Sequence, residues 1–303
     1  MIDQLGFAFG ITGPVLLLLA LGALVRRAGL IDQEFIRQAN ALVYTVALPV
    51  MLYFAIATRP ITDAFDPLMS AIGVGGTLII IAMALLVGRL LPEDQRGVFV
   101  QGSYRGNLAI LGIALALATY GTDSLPMIAV YIAIVTTVYN LVAIWLLDSS
   151  GALGQIIRNP ILIGIAAGSI GSLLSLPAPT ILVGTADYLT ALVLPVALIC
   201  IGASLELKSL SEHRLSLALA SIFKLIISPI LLVGLGLAAG LRDERIGILF
   251  CLAASPTATA SYVIASRLTR HGKLAAEIIA VTALFGVFTY TAGLALLRAY
   301  GFT

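Results

Sequence analysis

Apolar residues in this chain run in blocks of about twenty, separated by short polar stretches. About 20 apolar residues suffice to cross the hydrocarbon core of a bilayer. Read that way, the blocks predict ten spans over roughly 5–25, 36–57, 68–90, 97–120, 124–147, 159–176, 185–206, 214–240, 245–268 and 273–299. Helix is expected throughout, because the runs are long and unbroken and lipid leaves no room for unpaired backbone groups. The short alternating segments of a membrane barrel are absent.

The blocks repeat. Ala47-Leu48-Pro49-Val50 returns as Val193-Leu194-Pro195-Val196, 146 residues later, and the same offset carries Gly13-Pro14-Val15-Leu16 onto Asn159-Pro160-Ile161-Leu162. At an offset of 150, Gln95-Arg96-Gly97-Val98 falls on Arg245-Ile246-Gly247-Ile248. These matches divide the chain into two five-span halves, 1–150 and 151–303, within one membrane unit. An odd number of crossings makes the second half enter from the opposite side, so an in-plane pseudo-two-fold axis is expected. The predicted fold is therefore all-α, with ten transmembrane helices in two inverted five-helix repeats, the architecture of many secondary transporters.

Composition agrees. A mean hydropathy of +1.09 with 11% charged residues does not fit a soluble globule, which carries about 25%. The two cysteines, Cys200 and Cys251, lie in apolar runs and read as core packing. No basic segment precedes the first block and further spans follow it, so it reads as a retained helix rather than a cleaved signal. Positive charge is uneven: 11 Lys and Arg fall in odd-numbered loops, 4 in even loops and termini, and two, Arg105 and Lys224, inside spans. The positive-inside rule then puts the odd loops in the cytoplasm and both termini outside an inner membrane.

Two spans look broken. The fourth contains Arg105-Gly106-Asn107, and the ninth contains Ser255-Pro256-Thr257. At offset 150, Gly106 meets Pro256 and Asn107 meets Thr257, a helix breaker followed by a small polar residue in both halves. Proline removes an N–H and crowds the preceding turn, while glycine bends at low steric cost. Helices 4 and 9, crossed at their breaks, would bring half-helix ends together around a solute. Asn107 and Thr257 would line that cavity, with Ser255, Thr259 and Ser261 nearby. Such small residues also pack membrane helices together, and so do Gly164, Gly168 and Gly171 of the sixth span, within the fold or in a dimer. Pro49 and Pro195 are expected to be scaffold kinks.

Ionisable groups inside spans are costly and point to function. Lys224 would face an anionic solute. Arg105 reads equally as an anion-attracting group or a side chain reaching to the interface, and Glu277 as the partner of Lys273 one turn away. In the fifth span, Tyr139-Asn140 occupies the place of Thr289-Tyr290 in the tenth.

The second span (Asn40 to Pro49), Arg105-Gly106-Asn107 with Gly112, Lys224 followed by Pro229, and Ala254-Ser255-Pro256-Thr257-Ala258 together resemble the auxin efflux carrier family, over the whole chain from Gly10 onward. That family includes the plant PIN-formed auxin carriers and bacterial carriers of malonate and other organic acids. The resemblance implies crossovers in helices 4 and 9, elevator-like alternating access, homodimers and carboxylate substrates. It assigns Asn107 to the substrate carboxylate, Pro256 to the second crossover proline, and Tyr139 and Asn140 to contacts from helix 5. Two departures stand out: the long cytoplasmic loop of plant members is absent, and Gly106 replaces their helix 4 crossover proline. A small mono- or dicarboxylate is therefore expected rather than auxin.

The expected function is secondary transport of a small organic anion, with the proton as candidate coupling ion. A sodium-coupled symporter resembling the bile-acid carriers is the alternative, weakened because no carboxylate sits in the crossover sequence. A solute sensor without turnover is a third reading. An enzyme is not expected, since no metal-spaced pair exists and His213 and His271 fall at helix ends. Neither a cofactor, a metal nor a nucleic-acid partner is expected.

Overall fold

The computed structural model describes residues 2–58, 64–147, 158–175, 178–204 and 213–302. Most of the polar stretch between the halves, and Arg59 and Lys208 of the charge count, lie outside the described residues. Helices follow one another as α1 (Ile2–Arg27), α2 (Gln33–Ala57), α3 (Pro67–Gly88), α4 (Glu93–Tyr104), α5 (Leu108–Tyr120) and α6 (Leu125–Leu147). They continue as α7 (Pro160–Leu173), α8 (Thr180–Ala203), α9 (Arg214–Ala238), α10 (Asp243–Ala253), α11 (Ala260–Leu268) and α12 (Gly272–Ala299). No strand occurs among the described residues beyond one isolated bridge.

Seven of these, α1, α2, α3, α6, α8, α9 and α12, are long and apolar enough to cross a membrane. They coincide with seven of the ten expected spans. The fourth and ninth are each two half-helices, α4 with α5 and α10 with α11. The sixth is shorter than its expected 159–176: α7 has 14 residues, about 21 Å at 1.5 Å per residue. Ser175, at φ +49°, ends it in a left-handed turn. Large apolar side chains such as Leu17, Ile181 and Tyr188 stand exposed on the outer helices, as a lipid environment requires.

Two prolines reshape their helices by a route the sequence did not suggest. A proline has no N–H and its ring crowds the preceding turn, so hydrogen bonding slips by one residue. A π turn at Val43–Ala47 precedes Pro49, with Leu48 N donating to the Val43 carbonyl. A second, Phe223–Ile227, precedes Pro229 and holds Lys224, with Ser228 N donating to Phe223 O. Pro195 sits inside an otherwise regular α8.

Glycine sets the closest helix contacts. Gly22 of α1 lies under the Ile199 carbonyl of α8, and Gly202 of α8 under the Leu19 carbonyl of α1. A Cβ at Gly164 would lie 2.5 Å from the Pro49 carbonyl oxygen, and one at Gly168 2.7 Å from that of Tyr53. The glycine ladder of the sixth span thus packs α7 on α2 within the fold. At one end of the bundle His271 Nε2 donates to Asp94 Oδ2 over 2.8 Å, tying the start of α12 to the start of α4. That hydrogen bond holds the Asp94 carboxyl below the usual carboxylate range.

Candidate functional site

The broken helices meet backbone to backbone. Asn107 N donates to Pro256 O over 2.7 Å and Ala258 N to Arg105 O over 2.8 Å, forming an antiparallel bridge between Gly106 and Thr257. Breaking a helix frees backbone groups that lipid cannot satisfy; here each break satisfies the other. Side chains take several of the other freed backbone groups. Thr257 Oγ1 donates to Gly102 O (2.9 Å), Ser255 Oγ to Leu252 O (2.7 Å) and Lys224 Nζ to Ala253 O (2.9 Å), while Thr282 Oγ1 receives Thr257 N (3.1 Å). A cation is favourable where Lys224 sits, at the C-terminal end of α10.

Gly106 makes this approach possible. A Cβ there would stand 2.7 Å from Ser255 Oγ and 3.0 Å from Lys224 Nζ. Gly106→Ala is therefore expected to lower stability by about 1–3 kcal/mol, the usual cost of overpacking. The check is a thermal melt of the detergent-solubilised protein; an unchanged midpoint would mean that the crossing has slack.

Beside the crossing lies a cavity of about 550 Å³. Its polar wall carries Arg105, Asn107, Tyr139, Asn140, Arg158 and Asn159, with Tyr44, Thr136 and Thr259 at its edges. The Arg105 guanidinium is buried and fixed: Nη2 donates to Asn140 Oδ1 over 2.7 Å and Nη1 to the Tyr139 carbonyl over 3.2 Å. Tyr104 OH donates to the same carbonyl at 3.2 Å. Of the two sequence readings of Arg105, a side chain reaching to the interface is therefore excluded. The first turn of α5 (Leu108, Ala109, Ile110) also lines the cavity, presenting the positive end of a helix dipole. Two arginines, a helix N-terminus and amide groups make a site chemically suited to a small anion.

The nine residues singled out from sequence divide into two groups. Arg105, Gly106, Asn107, Tyr139 and Asn140 line the cavity. Ser255, Thr257 and Lys224 are buried behind it and brace the crossing, and Pro256 borders a small apolar void beside Leu115 and Val287. Lys224 thus faces a helix end instead of the cavity. Sequence reasoning missed Arg158, which it counted only as a loop charge, and Asn159, which caps α7 by accepting from Ile161 N and meets Tyr44 OH at 3.4 Å. The Asn-Pro pair at a helix start was the available signal.

Comparison with known proteins places the chain among membrane transporters. A family model described as membrane transport protein matches residues 12–156 and 151–292. A "Putative malonate transporter" of Rhizobium meliloti (strain 1021) is 26% identical over 308 residues, covering 95% of both chains. An "Uncharacterized transporter" of Methanothermobacter thermautotrophicus is 24% identical over 262 residues, covering 83% of this chain and 85% of its own.

Proposed function

The chain belongs to the membrane transport protein family, the auxin efflux carrier family that its motifs resemble, and from that premise we propose that it is a secondary carrier of a small mono- or dicarboxylate, of malonate size. The observation that carries this reading is the crossing itself, with Asn107, Arg105 and Arg158 on one cavity wall beside it. Arginine forks bind carboxylates in bidentate fashion, and the amide of Asn107 supplies an orienting donor. The malonate named for the relative at 26% identity fits a cavity of this volume and charge.

The proposal extends to mechanism. Halves 1–150 and 151–303 act as inverted five-helix repeats, and the crossed α4/α5 and α10/α11 carry the substrate in an elevator-like movement against the remaining helices. Supporting the repeat, the contact of Gly22 with the Ile199 carbonyl and that of Gly168 with the Tyr53 carbonyl are related by the 146-residue offset, each glycine and each carbonyl exchanging halves. The orientation proposed from loop charge puts both termini outside an inner membrane and Arg158 and Asp94 at the cytoplasmic end. A homodimer and coupling to a proton complete the reading.

Asn107→Ala tests it. Removing one neutral donor to a charged ligand costs about 1.5–3 kcal/mol, so malonate uptake into proteoliposomes is expected to fall roughly ten- to a hundredfold. The variant's stability, read from its thermal melt, should stay within about 1 kcal/mol of the parent's, because the crossing uses the backbone of this residue and not its side chain. Full uptake by a folded Asn107→Ala protein would overturn the site assignment.

A further inference from the structure

Two buried cations stand at the crossing without a counter-charge. Arg105 is 6% exposed and Lys224 1%. Arg105 donates to the Asn140 amide oxygen and the Tyr139 carbonyl, and Lys224 donates to the Ala253 carbonyl. All three acceptors are neutral. Among the described residues neither cation forms an ion pair. Glu277 is the one buried carboxylate among them, and neither of its oxygens has a hydrogen-bond partner, so it holds neither Lys224 nor Lys273. The expected Glu277–Lys273 pair does not form, since Lys273 is exposed. Arg158, the other cation of the cavity, is also exposed, where water and salt screen it.

Lys224 does not line the cavity, yet it lies close behind its wall. Gly106 is common to both. It lines the cavity, and a Cβ on it would stand 3.0 Å from Lys224 Nζ and 3.3 Å from Lys224 Cε. With only hydrogen in that place, the ammonium rests against the back of the Gly106 main chain. Among the described residues no carboxylate lines the cavity to cancel this charge. In a poorly polarisable interior, a charge so placed acts across the wall on whatever sits in front.

A buried charge needs compensation, and here two units await it. A monocarboxylate would balance Arg105 and leave Lys224 uncompensated. A dianion balances both. We propose that Lys224, acting across Gly106 without touching the substrate, sets a preference for doubly over singly charged carboxylates. This rests on the carboxylate reading above and narrows it to the dianions of small dicarboxylic acids. Lys224 is in this sense a positioning residue, not a contact.

The test compares malonate with monomethyl malonate, the same skeleton carrying one charge fewer. Binding to the purified full-length protein is measured by calorimetry at a pH where both are fully ionised. The parent is expected to bind malonate the more tightly. At about 8 Å and an effective dielectric constant of about 20, Coulomb's law gives roughly thirtyfold per ligand charge. Lys224→Met is therefore expected to weaken the monoester roughly ten- to thirtyfold, and malonate by at least roughly tenfold more. A residue that merely braced the Ala253 carbonyl would weaken both ligands by one factor, and that result would overturn the proposal. If Lys224→Met does not fold, salt decides with the parent alone. Chloride competing for the site lowers both affinities alike, so their ratio isolates the selecting charge. A ratio that holds from low to high NaCl supports a buried charge, whereas one that collapses toward unity points to an exposed charge such as Arg158 and overturns the proposal. Equal affinities in the parent would overturn this proposal alone. A parent that binds neither ligand would overturn the carboxylate reading together with it.

Discussion

Arg105→Gln is expected to reduce malonate uptake into proteoliposomes by a factor on the order of 10²–10³, a larger loss than any other single change at the cavity. Truncating one member of a buried, hydrogen-bonded charge pair costs about 2–5 kcal/mol. Arg105 would form such a pair with a bound carboxylate. Its guanidinium is held from behind by Asn140 Oδ1 and the Tyr139 carbonyl, and the cavity lies in front. The fork is thus oriented before any anion arrives, which spares the cost of ordering a long side chain on binding. Arg105→Lys should recover little of the loss, because a single ammonium cannot hold both partners and still present a planar pair of donors. Arg158→Gln gives the useful contrast. Its exposed position at the cavity edge predicts a smaller loss that fades at high salt, as for a screened surface charge. The main chain of residue 105 keeps its bond to Ala258 N in every variant, so folded protein is expected throughout. Wild-type uptake by Arg105→Gln, or full rescue by lysine, would show that the anion binds elsewhere.

The long apolar runs were legible because bilayer thickness fixes their length, and seven helices of spanning length appear where they were expected. The two breaks were legible for a different reason: Gly106 and Pro256 each disrupt helix locally, 150 residues apart in the chain. What residue type could not convey was direction. Lys224 and Arg105 look alike in sequence, one charge in one apolar span each. Three-dimensional packing turns Lys224 toward the carbonyl of Ala253 and Arg105 toward the cavity. The same holds for Glu277, where spacing alone suggested Lys273. On a helix, residues four apart share a face only approximately, and here one is buried and the other exposed. The π turns before Pro49 and Pro229 escaped notice because a proline announces a lost hydrogen bond without saying whether the helix kinks or slips register. Arg158 and Asn159 were hidden by their place at the edge of the sixth span, since only the folded chain brings the start of α7 to the cavity.

The second large effect concerns stability. Gly22→Ala and Gly202→Ala are each expected to destabilise the protein by about 1–3 kcal/mol or more, and Gly202→Leu to leave little folded protein in detergent. The new Cβ atoms would overlap the Ile199 and Leu19 carbonyls. These are backbone atoms that cannot rotate aside, so α1 and α8 must separate along their shared face. Gly75→Ala and Gly234→Ala are the controls. A Cβ at either position meets nothing within 4 Å, so alanine should be neutral or stabilise the helix by about 0.5–1 kcal/mol. The double variant Gly22→Ala/Gly202→Ala should cost less than its parts together, since one displacement of α1 from α8 relieves both clashes. The same measurement probes the repeat. Gly168 stands to the Tyr53 carbonyl in α7 and α2 as Gly22 stands to the Ile199 carbonyl in α1 and α8, with each member shifted by 146 residues. If the two halves carry one packing scheme twice, Gly168→Ala and Gly22→Ala should lower the thermal midpoint by matching amounts. A full penalty in one with none in the other would mean that the shared offset survives in sequence without a shared mechanical role.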